Sequence, residues 1–196
     1  MNAEVIEHLK RYLRVRVLGG FEEYEAIVDS VAGVVADELG RRDAQLESVL
    51  TSYLSAFITE TVDAQSRWQG TSVNDNIDLA FAELEAKDVI ALQNAGYTIS
   101  SGWECVAEER AHRPRAKGAV FYHGQDLERA VEGGGLYLAF GALGASSSSR
   151  ADDAVEIGRH VCAALAKRGV ATEWDGTSAK RIRIPPFEWR RRLMPQ

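Results

Sequence analysis

Between residues 123 and 129 stand His123, Gln125, Asp126, Glu128 and Arg129, the densest run of side chains able to move or hold a proton in this chain. They sit where an apolar run, 119–122, gives way to a helical pattern over 125–132. In sheets flanked by helices, ligands commonly bind at such strand ends. There His123 could act as a base, with Asp126 or Glu128 orienting it. A structural reading competes: Asp126 or Gln125 caps the first helical amides, and Glu128 pairs with Arg129, Arg181 or Arg183. The residue types favour that reading over ligand binding, and ligand binding over catalysis, so no residue is assigned a catalytic role. The candidate ligand-binding set is His123, Gln125, Asp126, Glu128, Arg181 and Arg183.

Other groups carry weaker chemistry. Gly144 to Ser149 is low in complexity, the pattern of a mobile surface loop. The longer stretch Gly141 to Ser149 follows a strand and precedes a helix, the order of a phosphate-cradling loop. It lacks the lysine of a nucleotide-binding loop, and Asp152 and Asp153 in the first turn of the next helix repel phosphate. The four histidines, His8, His112, His123 and His160, show no ligand spacing to one another or to a cysteine, so neither a metal nor a cofactor is expected. Cys105 and Cys162 are isolated and read as half-buried thiols in a reducing setting. Lys180 to Arg192 holds six basic residues and one acid. That stretch could meet nucleic acid or an acidic partner, or fold back on the protein's own acidic helices.

The elements that must position these groups show in the hydrophobic period. Helical spacing runs over 4–17, with Val5, Leu9, Tyr12, Leu13 and Val17 on one stripe, and over 21–39, closed by Gly40. The strongest repeat covers 44–68, where Leu46, Val49, Leu50, Tyr53, Leu54, Phe57, Ile58 and Thr61 recur at three and four. A helix over 75–86, with Asn74 or Asp75 as cap, buries Ile77, Ala80, Phe81 and Leu84. From about residue 88 the period becomes two. Strands are expected at 89–92, 119–122, 136–140, 171–174 and 181–184, with helices near 100–110, 125–132 and 152–168. Asp175-Gly176 sets a turn, and Pro185-Pro186 ends the last strand.

Together these predict an α+β fold: an N-terminal helical layer followed by a small mixed sheet with flanking helices. The division expected is a helical region over 1–70 and an α+β domain over 71–196.

Several pieces, in order, resemble one bacterial family, domain of unknown function 6891. They are Trp68 with Thr71, Ile77-Asp78-x-Ala80-Phe81-x-x-Leu84, and Phe121-x-x-x-Gln125-Asp126-x-Glu128-x-Ala130-Val131. Gly135-Leu136-Tyr137-Leu138-Ala139-Phe140-Gly141, Gly158, Trp174-Asp175-Gly176, Arg181-Ile182 and Trp189-x-Arg191 complete the set, over about 68–192. The resemblance implies a bacterial, cytosolic protein and names no reaction. It also implies, in many members, a cysteine cluster after the first strand. Residues 93–104 here contain no cysteine, so a thiol or zinc role at that place cannot operate in this chain.

Composition narrows the partner. Net charge is −6, and residues 1–70 hold 7 basic against 12 acidic side chains. That surface repels phosphates, which disfavours nucleic acid. No apolar run is long enough for a signal peptide or a membrane span, so a cytoplasmic protein with no membrane partner is expected. An acidic chain without a catalytic signature reads as a protein-interaction module, of an immunity or regulatory kind, with Glu22, Glu23 and Glu25 as partner-binding candidates. The alternatives are an enzyme or small-molecule binder around His123, Asp126 and Glu128, and weak nucleic-acid binding through the C-terminal arginines.

Overall fold

The computed structural model describes residues 3–144 and 150–192. Its elements, in order, are α1 (Ala3–Gly19), α2 (Tyr24–Leu39), α3 (Ala44–Ser66), α4 (Val73–Glu85), β1 (Val89–Leu92), α5 (Ile99–His112), β2 (Gly118–Phe121), α6 (Gly124–Val131), β3 (Leu136–Ala142), α7 (Arg150–Lys167) and β4 (Ile182–Ile184). This is the α+β fold expected. The chain divides into two compact units, one made of the helices before Gly70 together with the segment from Arg190, the other spanning Thr71–Trp189. Among the described residues no helix is long and apolar enough to cross a membrane.

The first unit is built by α1, α2 and α3. Their apolar stripes meet in a core containing Leu9, Leu13, Val17, Ile27, Val31, Val35, Leu46, Leu50 and Leu54. Each such side chain, fully withdrawn from water, contributes about 1.5–3 kcal/mol. Gly40 ends α2 in the left-handed region at φ 65°, as a C-terminal cap requires. Asp43 caps α3 by accepting from Leu46 N at 3.1 Å. The stripes are narrower than the sequence period suggests. Tyr12 and Val49, read as core-facing, are 39% and 42% exposed. Three helices close around a seam about two residues wide per turn, and these two lie at its margin.

The second unit carries the sheet, in the order β1-β2-β3-β4. β1 and β2 are parallel, joined by α5 as a crossover, while β2–β3 and β3–β4 are antiparallel. Alternate residues of β2 therefore face opposite layers. Phe121 meets Trp103 of α5 edge-on at 5.1 Å, whereas Tyr122 turns to Phe81 of α4 at 6.3 Å. On β3, Phe140 meets Trp174 at 5.3 Å. α4 packs on β1 and α7, and α7 covers β2 and β3.

Two details differ from the sequence reading. The cap of α4 is Ser72, whose hydroxyl accepts from Asp75 N at 3.0 Å while Asp75 accepts from Ser72 N at 2.7 Å. Asn74 is instead buried, and Asp75 is the returning half of a capping box. Residues 171–174 do not form a strand; only Glu173 bridges Arg183. β4 is three residues long, so a strand outside it finds one partner pair and no ladder. Cys105 and Cys162 are free and half-buried, as expected, and burial pushes the Cys162 thiol up. The glycine–serine stretch expected to be a mobile loop lies, over 145–149, outside the described residues.

Gly102 shows how tightly α5 lies on the sheet. A Cβ built there would stand 2.2 Å from Phe121 Cε2, inside contact distance. Alanine gains up to about 1 kcal/mol over glycine in a helix interior, but overpacking of a closed core costs about 1–3 kcal/mol. Gly102→Ala is therefore expected to lower stability by about 1–2 kcal/mol, read as a lower midpoint in urea unfolding with unchanged slope.

Candidate functional site

α6 is eight residues long, and its first turn is satisfied without any side-chain cap. Gly124 N donates to Gly96 O at 2.9 Å, and Gln125 N donates to Tyr97 O at 3.2 Å. Carbonyls of the segment between β1 and α5 thus do the work expected of Asp126 or Gln125. The approach is close enough that a Cβ on Gly124 would stand 2.7 Å from Tyr97 Cδ2. Relieved of capping, the Asp126 side chain turns inward, where it is 1% exposed.

The buried carboxylate is met by two groups. Arg181 Nη1 donates to Asp126 Oδ1 at 3.0 Å and to Oδ2 at 2.8 Å, straddling both oxygens. His123 Nε2 lies 3.0 Å from Asp126 Oδ2. Arg181 in turn lies over the Tyr137 ring at 5.0 Å, with the guanidinium groups of Arg129 at 5.1 Å and Arg183 at 5.9 Å around the same ring. Tyr137 is thus a hub that the sequence showed only as an apolar strand position.

Burial holds the His123 imidazole below its ordinary range, Arg181 and Arg129 add to that effect, and Asp126 opposes it. The ring is neutral near pH 7. Its Nε2 lies between the Asp126 carboxylate and Arg181 Nη1, 3.5 Å from the latter, and among the described residues its buried Nδ1 has no hydrogen-bond partner. One anion, one cation and a neutral imidazole form a charge-balanced clamp that ties the start of α6 to the residue before β4.

The remaining candidates do not converge on it. Gln125 is exposed. Glu128 accepts from Tyr97 Oη at 3.0 Å, a partner not singled out in the sequence, and takes none of the expected arginines. Arg183 Nη1 pairs with Glu173 Oε2 at 2.6 Å, beside their backbone bridge. An orienting role for Glu128 at His123 is therefore set aside. Among the described residues no group of three or more histidine, cysteine or acidic side chains is placed to hold a metal.

In the helical unit the three acidic candidates also part company. Glu22 is engaged by Arg16, whose Nε donates to its Oε1 at 2.8 Å, while Arg16 Nη1 reaches Ser30 Oγ at 2.7 Å. It holds α1 to α2. Glu23 is the N-cap residue of α2 and is itself engaged. Glu25 is exposed and has no ion pair among the described residues, and with Asp29 it borders a 350 Å³ groove between α2 and α3 lined by Tyr24, Val28, Ser55 and Ile58. The C-terminal arginines are occupied. Arg191 lies 4.2 Å from the Phe21 ring centroid, Arg190 and Arg192 lie 5.9 and 5.8 Å from Trp68, and Arg192 Nη2 donates to Trp68 O at 3.0 Å. The basic tail thus folds on aromatic rings of the helical unit.

The model of one protein family, described as Domain of unknown function (DUF6891), matches residues 2–193, and the chain belongs to that family. The match takes in the N-terminal helices as well as the 68–192 stretch whose residues carry the resemblance. Comparison with curated proteins and with solved structures finds no match.

Two outcomes follow from the clamp. Arg181→Gln strands a buried carboxylate, whereas Asp126→Asn leaves a guanidinium that is 31% exposed and can find water. Arg181→Gln should therefore cost the more, about 3–5 kcal/mol against about 2–3 for Asp126→Asn, by chemical denaturation. For His123 the folded pKa lies below the unfolded value of about 6.5. Below that pH the unfolded chain takes up a proton that the folded chain refuses, so stability falls as pH drops from neutral towards the folded pKa and levels off beneath it. His123→Gln should flatten that part of a stability–pH curve relative to wild type.

Proposed function

We propose that this family member is a non-catalytic protein-interaction module, which takes a basic, amphipathic segment of a partner protein into the groove between α2 and α3. The observation that carries this reading is the state of Glu25 and Asp29. They lie one turn apart on the rim of an apolar groove, both exposed, and among the described residues neither has an ion-pair partner. Most other acids of the helical unit are spoken for, Glu22 by Arg16, Glu47 by Arg42 and Asp63 by Arg67.

The groove has the shape such a segment uses. Tyr24 and Val28 present one face of α2, and Ile58 faces them from α3. Val62, one turn beyond Ile58, is 47% exposed and extends the apolar line along α3. A helix laid there places an apolar anchor every three or four residues, with lysine or arginine flanking it to meet Glu25 and Asp29. Unmatched acids on the rim speed encounter and select against acidic partners.

A labelled amphipathic leucine–lysine peptide, followed by fluorescence anisotropy, tests this. It should bind saturably and more weakly as salt rises, and its leucine–glutamate counterpart should not bind. Glu25→Lys combined with Asp29→Lys should weaken binding by more than about tenfold, or 1.4 kcal/mol. Equal binding of both peptides, or no effect of the double reversal, overturns the reading.

A further inference from the structure

A second cavity, of 710 Å³, opens at the opposite end of the sheet from the clamp. Because β1 runs parallel to β2 and β3 antiparallel to it, Val89, Gly118 and Ala142 are neighbours in register. The start of two strands and the end of a third thus form one rim of the cleft. The segment from the end of α5 to β2 supplies Arg110, Arg115 and Lys117, α4 is followed by Lys87, and Leu84 and Ile157 give an apolar floor.

The charge pattern of that segment is selective. Arg113, which does not line the cleft, is neutralised by Glu85, through its side chain at 3.2 Å and its carbonyl at 2.9 Å. Lys87 is likewise paired with Glu83 at 3.0 Å. Arg110, Arg115 and Lys117, all facing the cleft, have no ion pair among the described residues. Lys117 is also held in place from both sides, its backbone N donating to Asp88 O at 2.8 Å and its carbonyl accepting from Leu143 N at 2.8 Å. Three unmatched cations around one concavity repel one another, and a fold that pairs their neighbours leaves them for something else. The α7 wall carries Asp153, the acid that counts against phosphate at the start of α7 but is here engaged by a partner, and Glu156, which is exposed, with His160 beyond.

We infer that this cleft binds a small-molecule phosphomonoester. Arg110, Arg115 and Lys117 grip the phosphate, since guanidinium and ammonium groups together offer a fork and a point charge to its oxygens. The body of the molecule lies on Leu84 and Ile157, and a hydroxyl or amino group donates to Glu156. The site shares no residue with the α2–α3 groove and stands or falls apart from it.

Calorimetric titration of the full chain with adenosine monophosphate and glucose 6-phosphate, with adenosine and inorganic phosphate as controls, decides the matter. At least one phosphomonoester should bind saturably and more tightly than inorganic phosphate, and adenosine should give no binding. Arg115→Gln and Lys117→Gln, both at exposed positions, should each weaken that binding about tenfold. Arg113→Gln should leave it within about twofold. No saturation by either phosphomonoester, binding no tighter than phosphate alone, equal binding of adenosine, or unchanged affinity in both cleft variants overturns the inference.

Discussion

A carboxylate withdrawn from water must be repaid in hydrogen bonds and opposite charge, and Asp126 sets the terms for the sheet-bearing unit. Its two oxygens fix Arg181, and Arg181 is the residue that enters β4. With Arg181 held, Ile182 and Ile184 fall into register with Leu138 and Leu136 and bury completely or nearly so. The same guanidinium lies on Tyr137, so the clamp also sets the outer face of β3. A three-residue edge strand has little ladder of its own, and the charge pair adds to the burial of Ile182 and Ile184 in holding it in place.

Charge in this molecule is sorted. Where an acid or base has a structural task, it is matched: Glu22 to Arg16 and Asp126 to Arg181. Arg191 lies on Phe21 in the same spirit, its charge against an aromatic face. Unmatched charge is found at both concave places, acidic at the α2–α3 groove and mainly basic at the end of the sheet, where Glu156 stands opposite the cations. Exposed unmatched charge is common on any surface. Several unmatched charges, mostly of one sign, around a cavity distinguish these two places from the solvated remainder.

Much of the fold could be read from the chain because its signals are local. The strands at 89–92 and 136–140, and every helix, declare themselves by period, and Gly40 marks an end by its backbone freedom. The spurious strand at 171–174 arises from the same logic, since period two cannot say whether a neighbour is available. The site was half legible. His123 and Asp126 are three apart, so one turn of helix joins them, but nothing near residue 126 says that its partner is Arg181 and not Glu128's neighbour Arg129. Tyr97 is not legible in the sequence because it acts through a tertiary neighbour, Glu128. The cleft cations are spread over the ends of separate elements, and only the strand order brings them together.

The helical unit is completed by residues made long after its helices. Phe21 and Trp68 belong to the first part of the chain, yet the arginines that cover them follow Trp189. At ordinary translation rates, the whole of the second unit intervenes for on the order of ten seconds. For that interval the core of α1, α2 and α3 can form, but Phe21 and Trp68 lack the arginines that lie on them in the finished chain. Synthesis order and finished structure are therefore out of step, and a chain released before Arg190 lacks these arginine–aromatic contacts.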